Sequence, residues 1–145
     1  MRGIILQSWD IIVSGPRTLA YLFLTVLFVA AHSFFLGAFI YFFTEVFYSV
    51  FFAPELENIF FVRQSGLFLM LSALFYLYPL IDFSNNRGIV PLIIVSKCAA
   101  VIFLLTNARS TSAPTMLFLA ALGDGTMALL LAFYYRACRQ KQCFD

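Results

Sequence analysis

Apolar residues dominate the chain in four long runs that short polar segments separate. The runs cover residues 18–52, 59–80, 89–107 and 115–135. Each run is long enough to cross a hydrocarbon core of ~30 Å at ~1.5 Å per helical residue. Because short loops join consecutive runs, the pattern predicts an all-α membrane protein. Its single integral membrane domain is an antiparallel bundle of four transmembrane helices.

The segment before the first run has a different pattern. Residues 1–16 carry apolar side chains at helical spacing, but Gln7, Ser8 and Asp10 interrupt the run. Such a segment is too short and too polar to span a membrane, so we expect an amphipathic helix that lies in the interface. Trp9 is the type of residue that anchors at that depth.

Composition strengthens the membrane interpretation and excludes several functions. The chain is 63% hydrophobic and 11% charged, whereas soluble domains are usually about half apolar and roughly a quarter charged. A net charge of +2 is too small to suggest a nucleic-acid partner. With one histidine and no C-x-x-C motif, the sequence offers no metal site. The nineteen phenylalanines suit lipid-facing surfaces or contacts with an apolar ligand.

One acidic residue, Asp124, lies near the middle of the last span. A carboxylate there costs roughly 2.5–3.5 kcal/mol on insertion scales, so a partner must offset its charge. Lys97 of the third span lies ~12 Å and Asp124 ~16 Å from the same membrane surface. Because their spans are consecutive and antiparallel, we predict that these two residues form an ion pair near the midplane. Ala120 and Ala128 share the helical stripe of Asp124 and predict close helix packing there, together with Gly123 and Gly125.

A second charge pair is predicted nearer the opposite surface. Glu45 and Arg63 lie on consecutive antiparallel spans, each roughly two turns or less from that surface. His32 lies near the middle of the first span, and together with Lys97 and Asp124 it is a candidate polar contact for a ligand. Gly37 and Gly66 mark the predicted helix-packing seams of the first two spans.

The basic residues predict the orientation. Four spans place both termini on one side, and that side carries an excess of lysine and arginine, which marks it as cytoplasmic. The predicted basic tail covers residues 136–145. We therefore expect an integral protein of the bacterial inner (plasma) membrane with cytoplasmic N- and C-termini. The residues that carry the excess are Arg2, Arg17, Arg87, Arg136, Arg139 and Lys141.

Four features together resemble the DoxX-like group of small four-helix membrane proteins. They are Ala53-Pro54, the F-F-V-R-x-x-G pattern from Phe60 to Gly66, Lys97 within the third span, and A-L-G-D from Ala121 to Asp124. The resemblance covers about residues 40–135. Named members of that group are similar to subunits associated with quinone-linked oxidoreductases. The resemblance therefore implies an accessory membrane subunit, and it assigns no cofactor ligand to a residue of this chain.

The function remains open among three alternatives at this point. Because the sequence shows no nucleophile–base pair, metal set or phosphate loop, it predicts no catalytic residue and favours a non-catalytic accessory subunit or scaffold. Its partners would be membrane lipids and other membrane subunits. The second alternative is a protein that binds a quinone, a lipid or another small molecule between its helices. The third is a proton- or ion-coupled transporter.

Overall fold

The fold is all-helical in the part of the chain that the structure, a computed structural model, describes: residues 16–51, 59–108, 114–141 and 143. The helices are α1 (Arg17–Phe42), α2 (Thr44–Phe51), α3 (Ile59–Leu77), α4 (Phe83–Asn86), α5 (Ile89–Asn107) and α6 (Pro114–Gln140). A 3-10 turn, Tyr78–Leu80, extends α3.

Four of these helices are long and apolar enough to cross a membrane: α1, α3 with its 3-10 turn, α5 and α6. The prediction of an all-α membrane protein with four spanning helices is therefore confirmed. The predicted interfacial helix, apart from Pro16, lies outside the described residues.

The four spans form a bundle whose neighbouring pairs are packed to different extents. Helix α1 packs most extensively on α3, α6 packs on both α1 and α5, and α3 and α5 touch only slightly. The Tyr21 and Tyr134 rings, 5.6 Å apart, join the beginning of α1 to the later part of α6, so these two helices are antiparallel. Helix α1 packs on both α3 and α6 and buries more of its length than any other span, so we call it the central helix.

Most of the buried core lies toward the end of the bundle where α1 begins and α6 ends. The largest fully buried side chains come from α1, α5 and α6, and Phe83 of the short helix α4 covers them. Among the described residues no disulfide links this end, and dispersion contacts between closely packed side chains hold it together. The core residues are Leu19, Leu22, Phe23, Val26, Val29, Phe83, Val90, Ile93, Met127, Leu131 and Cys138.

Helices α1 and α3 cross where two glycines face each other. A Cβ placed on Gly37 would lie 2.7 Å from the carbonyl oxygen of Gly66, and one on Gly66 would lie 2.8 Å from the carbonyl oxygen of Gly37. No real Cβ tolerates such distances, so only glycine permits this backbone approach. The two glycines predicted to mark helix seams do lie at a helix crossing.

The first predicted span is interrupted, so a single helix over residues 18–52 is wrong. Phe43 leaves helical geometry at φ −117° and ψ 41°, and α2 starts at the next residue. The buried Thr44 hydroxyl donates to the Ile40 carbonyl oxygen at 2.7 Å and lies 3.1 Å from that of Tyr41. Side-chain hydrogen bonds of this kind compete with the helical ladder and bend helices.

Two further boundaries differ from the prediction. Helix α6 continues to Gln140, so the predicted tail 136–145 begins as helix, and burial of Cys138 against the core gives this extra turn a packing partner. The segment between the second and third apolar runs, predicted only as a short loop, contains α4. Asp82 caps that helix by accepting a hydrogen bond from the Asn85 backbone N–H at 3.2 Å.

Candidate functional site

An ion pair between α5 and α6 is the centre of the candidate site. Lys97 Nζ lies 2.7 Å from Asp124 Oδ1, which is the distance of a strong charge-assisted hydrogen bond. The Lys97 side chain is 5% exposed and that of Asp124 is 17% exposed. The pairing predicted from helix depth is therefore present, and it offsets the cost of placing each charge inside an apolar helix.

Lys97 also connects the pair to the central helix. Its ammonium donates to Ser33 Oγ of α1 at 3.2 Å, and Ser33 is fully buried. Since an ammonium carries three donors, Lys97 can bond to α1 and α6 at the same time. The lysine of α5 thus links three of the four spans.

A tyrosine brings the remaining span into the same cluster. The Tyr76 hydroxyl of α3 lies 2.7 Å from Ser96 Oγ of α5, and Lys97 Nζ lies 6.0 Å from the centre of the Tyr76 ring. That distance is at the outer limit of a cation–π interaction. We call Ser33, Tyr76, Ser96, Lys97 and Asp124 the polar cluster; it unites α3 and α5 where they otherwise barely touch.

Three members of the polar cluster, Ser33, Tyr76 and Ser96, are not among the candidate site residues that the sequence predicts. Ser96, the neighbour of Lys97, had no predicted contact. Their signal was weak because a single hydroxyl in an apolar helix usually bonds back to its own carbonyls, as Ser96 also does to Ile93 at 2.9 Å.

His32 lies beside the polar cluster but points outward from the bundle. The side chain is exposed, and its ring centre lies 6.3 Å from that of Phe28. The imidazole is within electrostatic range of both Lys97 and Asp124. The structure therefore brings the three predicted ligand contacts into one neighbourhood. Among the described residues, however, His32 makes no hydrogen bond to Lys97 or Asp124, which bond to each other.

The predicted pair of Glu45 and Arg63 does not form. Among the described residues the ion pair is Lys97–Asp124, and no ion pair joins Glu45 to Arg63. Both side chains are exposed. The break at Phe43 explains the difference, because it changes the direction of the chain just before Glu45 and so invalidates a position extrapolated along one straight helix.

The predicted packing positions on α6 divide into two groups. Ala128 is buried and Ala120 half-buried, in agreement with the prediction. A Cβ on Gly125 would make an ordinary contact of 3.7 Å with Val101 of α5. A Cβ on Gly123 would meet nothing within 4 Å, so Gly123 is not a close-packing residue, and that prediction is wrong. It lies outside the stripe of Asp124, at 100° from it around the helix.

An apolar groove lies between α5 and α6. Its volume is about 590 Å³, within the range of small-molecule sites. The groove is open on one side, and Asp124 is not part of its wall. The residues that line it are Val101, Leu105, Thr115, Phe118, Leu119, Ala121, Leu122, Gly125, Thr126 and Leu129.

The site contains one ion pair, Lys97–Asp124, whose charges neutralise each other, and one further titratable side chain beside it, His32. Among the described residues, no group of three or more histidine, cysteine, aspartate or glutamate side chains could hold a metal ion. The polar cluster can hold helices in register, and the partly exposed Asp124 carboxylate can accept a hydrogen bond from outside. No family model matches this chain, and no curated protein or solved structure is detectably similar to it.

Proposed function

We propose that this chain is a non-catalytic accessory subunit of a larger membrane complex, and that it docks through the surface of Phe28, His32 and Phe35 on α1. We call this surface the His32 face. The observation that carries the proposal is the exposed His32, well inside a spanning helix and between two outward-facing phenylalanines. An imidazole directed at hydrocarbon leaves its N–H without a partner, at a cost of several kcal/mol on transfer scales (roughly 4–8 kcal/mol in cyclohexane).

A protein partner at the His32 face removes this cost. Polar residues inside membrane spans usually face protein, and they bond to a neighbour across the interface. Aromatic side chains around one polar anchor are typical of the central part of a protein interface. The internal charges need no such partner, since Lys97 and Asp124 neutralise each other. The resemblance to the DoxX-like group favours a redox-linked complex. The excess of lysine and arginine on the side of the termini favours cytoplasmic termini, in a bacterial inner membrane.

The test is copurification from native membranes in a gentle detergent, followed by blue-native electrophoresis. The wild-type chain should migrate with a partner, well above the position of a detergent-bound chain of 16.4 kDa. His32→Leu should release the partner. Ser65→Ala is the matched control, because Ser65 is also exposed and its hydroxyl bonds within its own helix to Val62 at 2.7 Å. A wild-type chain that migrates alone, or a His32→Leu chain that keeps its partner, contradicts the proposal.

A second candidate function is binding of a quinone or a lipid headgroup at the same place. The observation that favours it is the partial exposure of the Asp124 carboxylate beside His32, which offers an acceptor and a donor to a small polar group. Under this alternative, extraction of the purified protein yields a stoichiometric quinone or lipid. Asp124→Asn should lose that molecule while His32→Leu keeps any protein partner.

A further inference from the structure

Two cysteines converge where α6 ends. Helix α6 terminates at Gln140, and the chain then turns so that the Cys143 backbone N–H donates to the Cys138 carbonyl oxygen at 3.0 Å. Bonds between residues five apart are a common way to end a helix, and they bring the two residues onto the same side of the chain. The Cys143 side chain packs against the buried core cluster that contains Cys138.

The two thiols differ in their access to solvent. Cys138 is fully buried in the apolar core, whereas Cys143 is half-buried against it. Lys141 and Arg139 lie between them in sequence. One accessible thiol next to one shielded thiol is the arrangement of an attacking and a resolving cysteine.

From this geometry we propose that Cys138 and Cys143 form a redox-active dithiol that closes to an intramolecular disulfide by exchange with a small disulfide such as oxidised glutathione. The Cys143 thiolate attacks one sulfur of the small disulfide, whose S–S bond breaks and releases one small thiol. Cys138 then loses its proton and attacks the Cys143 sulfur, which releases the second small thiol. Both cysteines are oxidised, and one small disulfide is reduced to two thiols.

Closing this bond constrains the turn at the end of α6, which lies next to the beginning of α1. The Lys141 ammonium already donates to Thr18 Oγ1 at 3.3 Å, and Lys141 lies inside the ring that the disulfide would close. Oxidation therefore changes the freedom of a basic segment next to the buried core. Intracellular disulfides of this kind are usually transient and redox-sensing rather than structural.

Peptide mapping of the whole protein tests the dithiol. The chain is treated with oxidised glutathione, its free thiols are alkylated, and it is digested with trypsin, which cleaves after Arg139 and after Lys141. We expect the peptide of residues 137–139 to stay joined to the peptide that begins at Gln142 until a reductant is added. A non-reducing gel of the undigested protein should show a monomer, which distinguishes an intramolecular bond from a bond between chains.

Two variants complete the test. Cys98→Ser should behave like the wild type, because Cys98 is an exposed thiol of α5 with no role in the pair. Cys143→Ser should lose the joined peptides. Full alkylation of both Cys138 and Cys143 after oxidation, or a disulfide-linked dimer in place of the joined peptides, overturns the proposal.

Discussion

The two helix pairs of this bundle are held together by different forces. Helices α1 and α3 approach so closely at Gly37 and Gly66 that a single Cβ would collide with backbone atoms. Helices α5 and α6 have an open groove of about 590 Å³ between them, and their strongest link is the pair of Lys97 and Asp124. The association of α1 with α3 depends on dispersion between backbones, whereas that of α5 with α6 depends on charge.

The difference has a physical origin. In a membrane the lipid tails are as apolar as leucine, so hydrophobic burial gives helices little reason to associate. Close backbone contact is one solution, because many weak atom-to-atom attractions add up. A buried ion pair is the other, because each charge is costly in oil without its partner. This chain uses each solution in one pair of helices, and the central helix α1 takes part in both through Gly37 and Ser33.

Removing the lysine should have the largest effect. Lys97→Met leaves the Asp124 carboxyl without its partner, and loss of one member of a buried pair costs roughly 3–5 kcal/mol. The double variant Lys97→Met with Asp124→Leu should recover most of that loss, since neither charge then remains. The free energy of unfolding in mixed micelles of mild detergent and dodecyl sulfate measures both. If the losses in the free energy of unfolding caused by Lys97→Met alone and Asp124→Leu alone simply add in the double variant, the charge-based account of this pair is wrong.

Adding one methyl group at the glycine crossing should have the next largest effect. Gly37→Ala places a Cβ against backbone atoms of Gly66 and Met70, so α1 and α3 must move apart. Overpacking of this kind costs roughly 1–3 kcal/mol. The same unfolding assay gives the loss, and a disulfide-trapping scan between the two helices reports the increased separation. Unchanged stability would show that the crossing is looser than a backbone contact.

A smaller loss is expected where α3 meets α5. Tyr76→Phe removes the hydroxyl that bonds to Ser96 at 2.7 Å and keeps the ring. A neutral hydrogen bond contributes about 0.5–1.5 kcal/mol, and Ser96 keeps its own bond to the Ile93 carbonyl. Ser96→Ala in the Tyr76→Phe background should then cost little more. A large extra loss would mean that Ser96 has a role independent of Tyr76.

The smallest effect should have the opposite sign. Gly123→Ala adds a Cβ that meets nothing within 4 Å, in a helix where glycine is less favourable than alanine by roughly 0.5–1 kcal/mol. We expect unchanged packing and a slight gain in stability, measured beside Gly37→Ala as its control. A loss at position 123 would indicate that a molecule outside this chain packs against that glycine.

Helical periodicity and depth predicted much of this architecture. The run 89–107 matches α5 at both ends, and counting residues from the membrane surface brought Lys97 and Asp124 together. The bounds of the run follow from the apolar pattern, and the depths of Lys97 and Asp124 follow from the fixed rise of a straight helix. The predicted pair of Glu45 and Arg63 also relied on a straight helix, and it was wrong because the first span is interrupted at Phe43. That break depends on a local hydrogen bond of Thr44, which hydropathy does not register.

Within the polar cluster, the contacts of Ser33, Tyr76 and Ser96 were harder to predict than the Lys97–Asp124 ion pair. Ser33 and Tyr76 reach Lys97 and Ser96 across helices whose rotation about their own axes is fixed by packing, not by their own sequence. Hydropathy could not supply that rotation, since the spans are apolar on nearly every side. The close approach of Gly37 to Gly66 was foreseeable as a seam, but not as a contact between those two residues.

The position of Lys97 in the chain has a consequence for biosynthesis. Ribosomes make α5 before α6, so the lysine reaches the membrane before its carboxylate partner exists. Ser33, which bonds to Lys97, lies upstream and is already in place. When α5 enters the bilayer, the neutral hydroxyl of Ser33 is therefore already present as a hydrogen-bond acceptor for Lys97. The lysine gains a charged partner only when α6, which carries Asp124, has been translated.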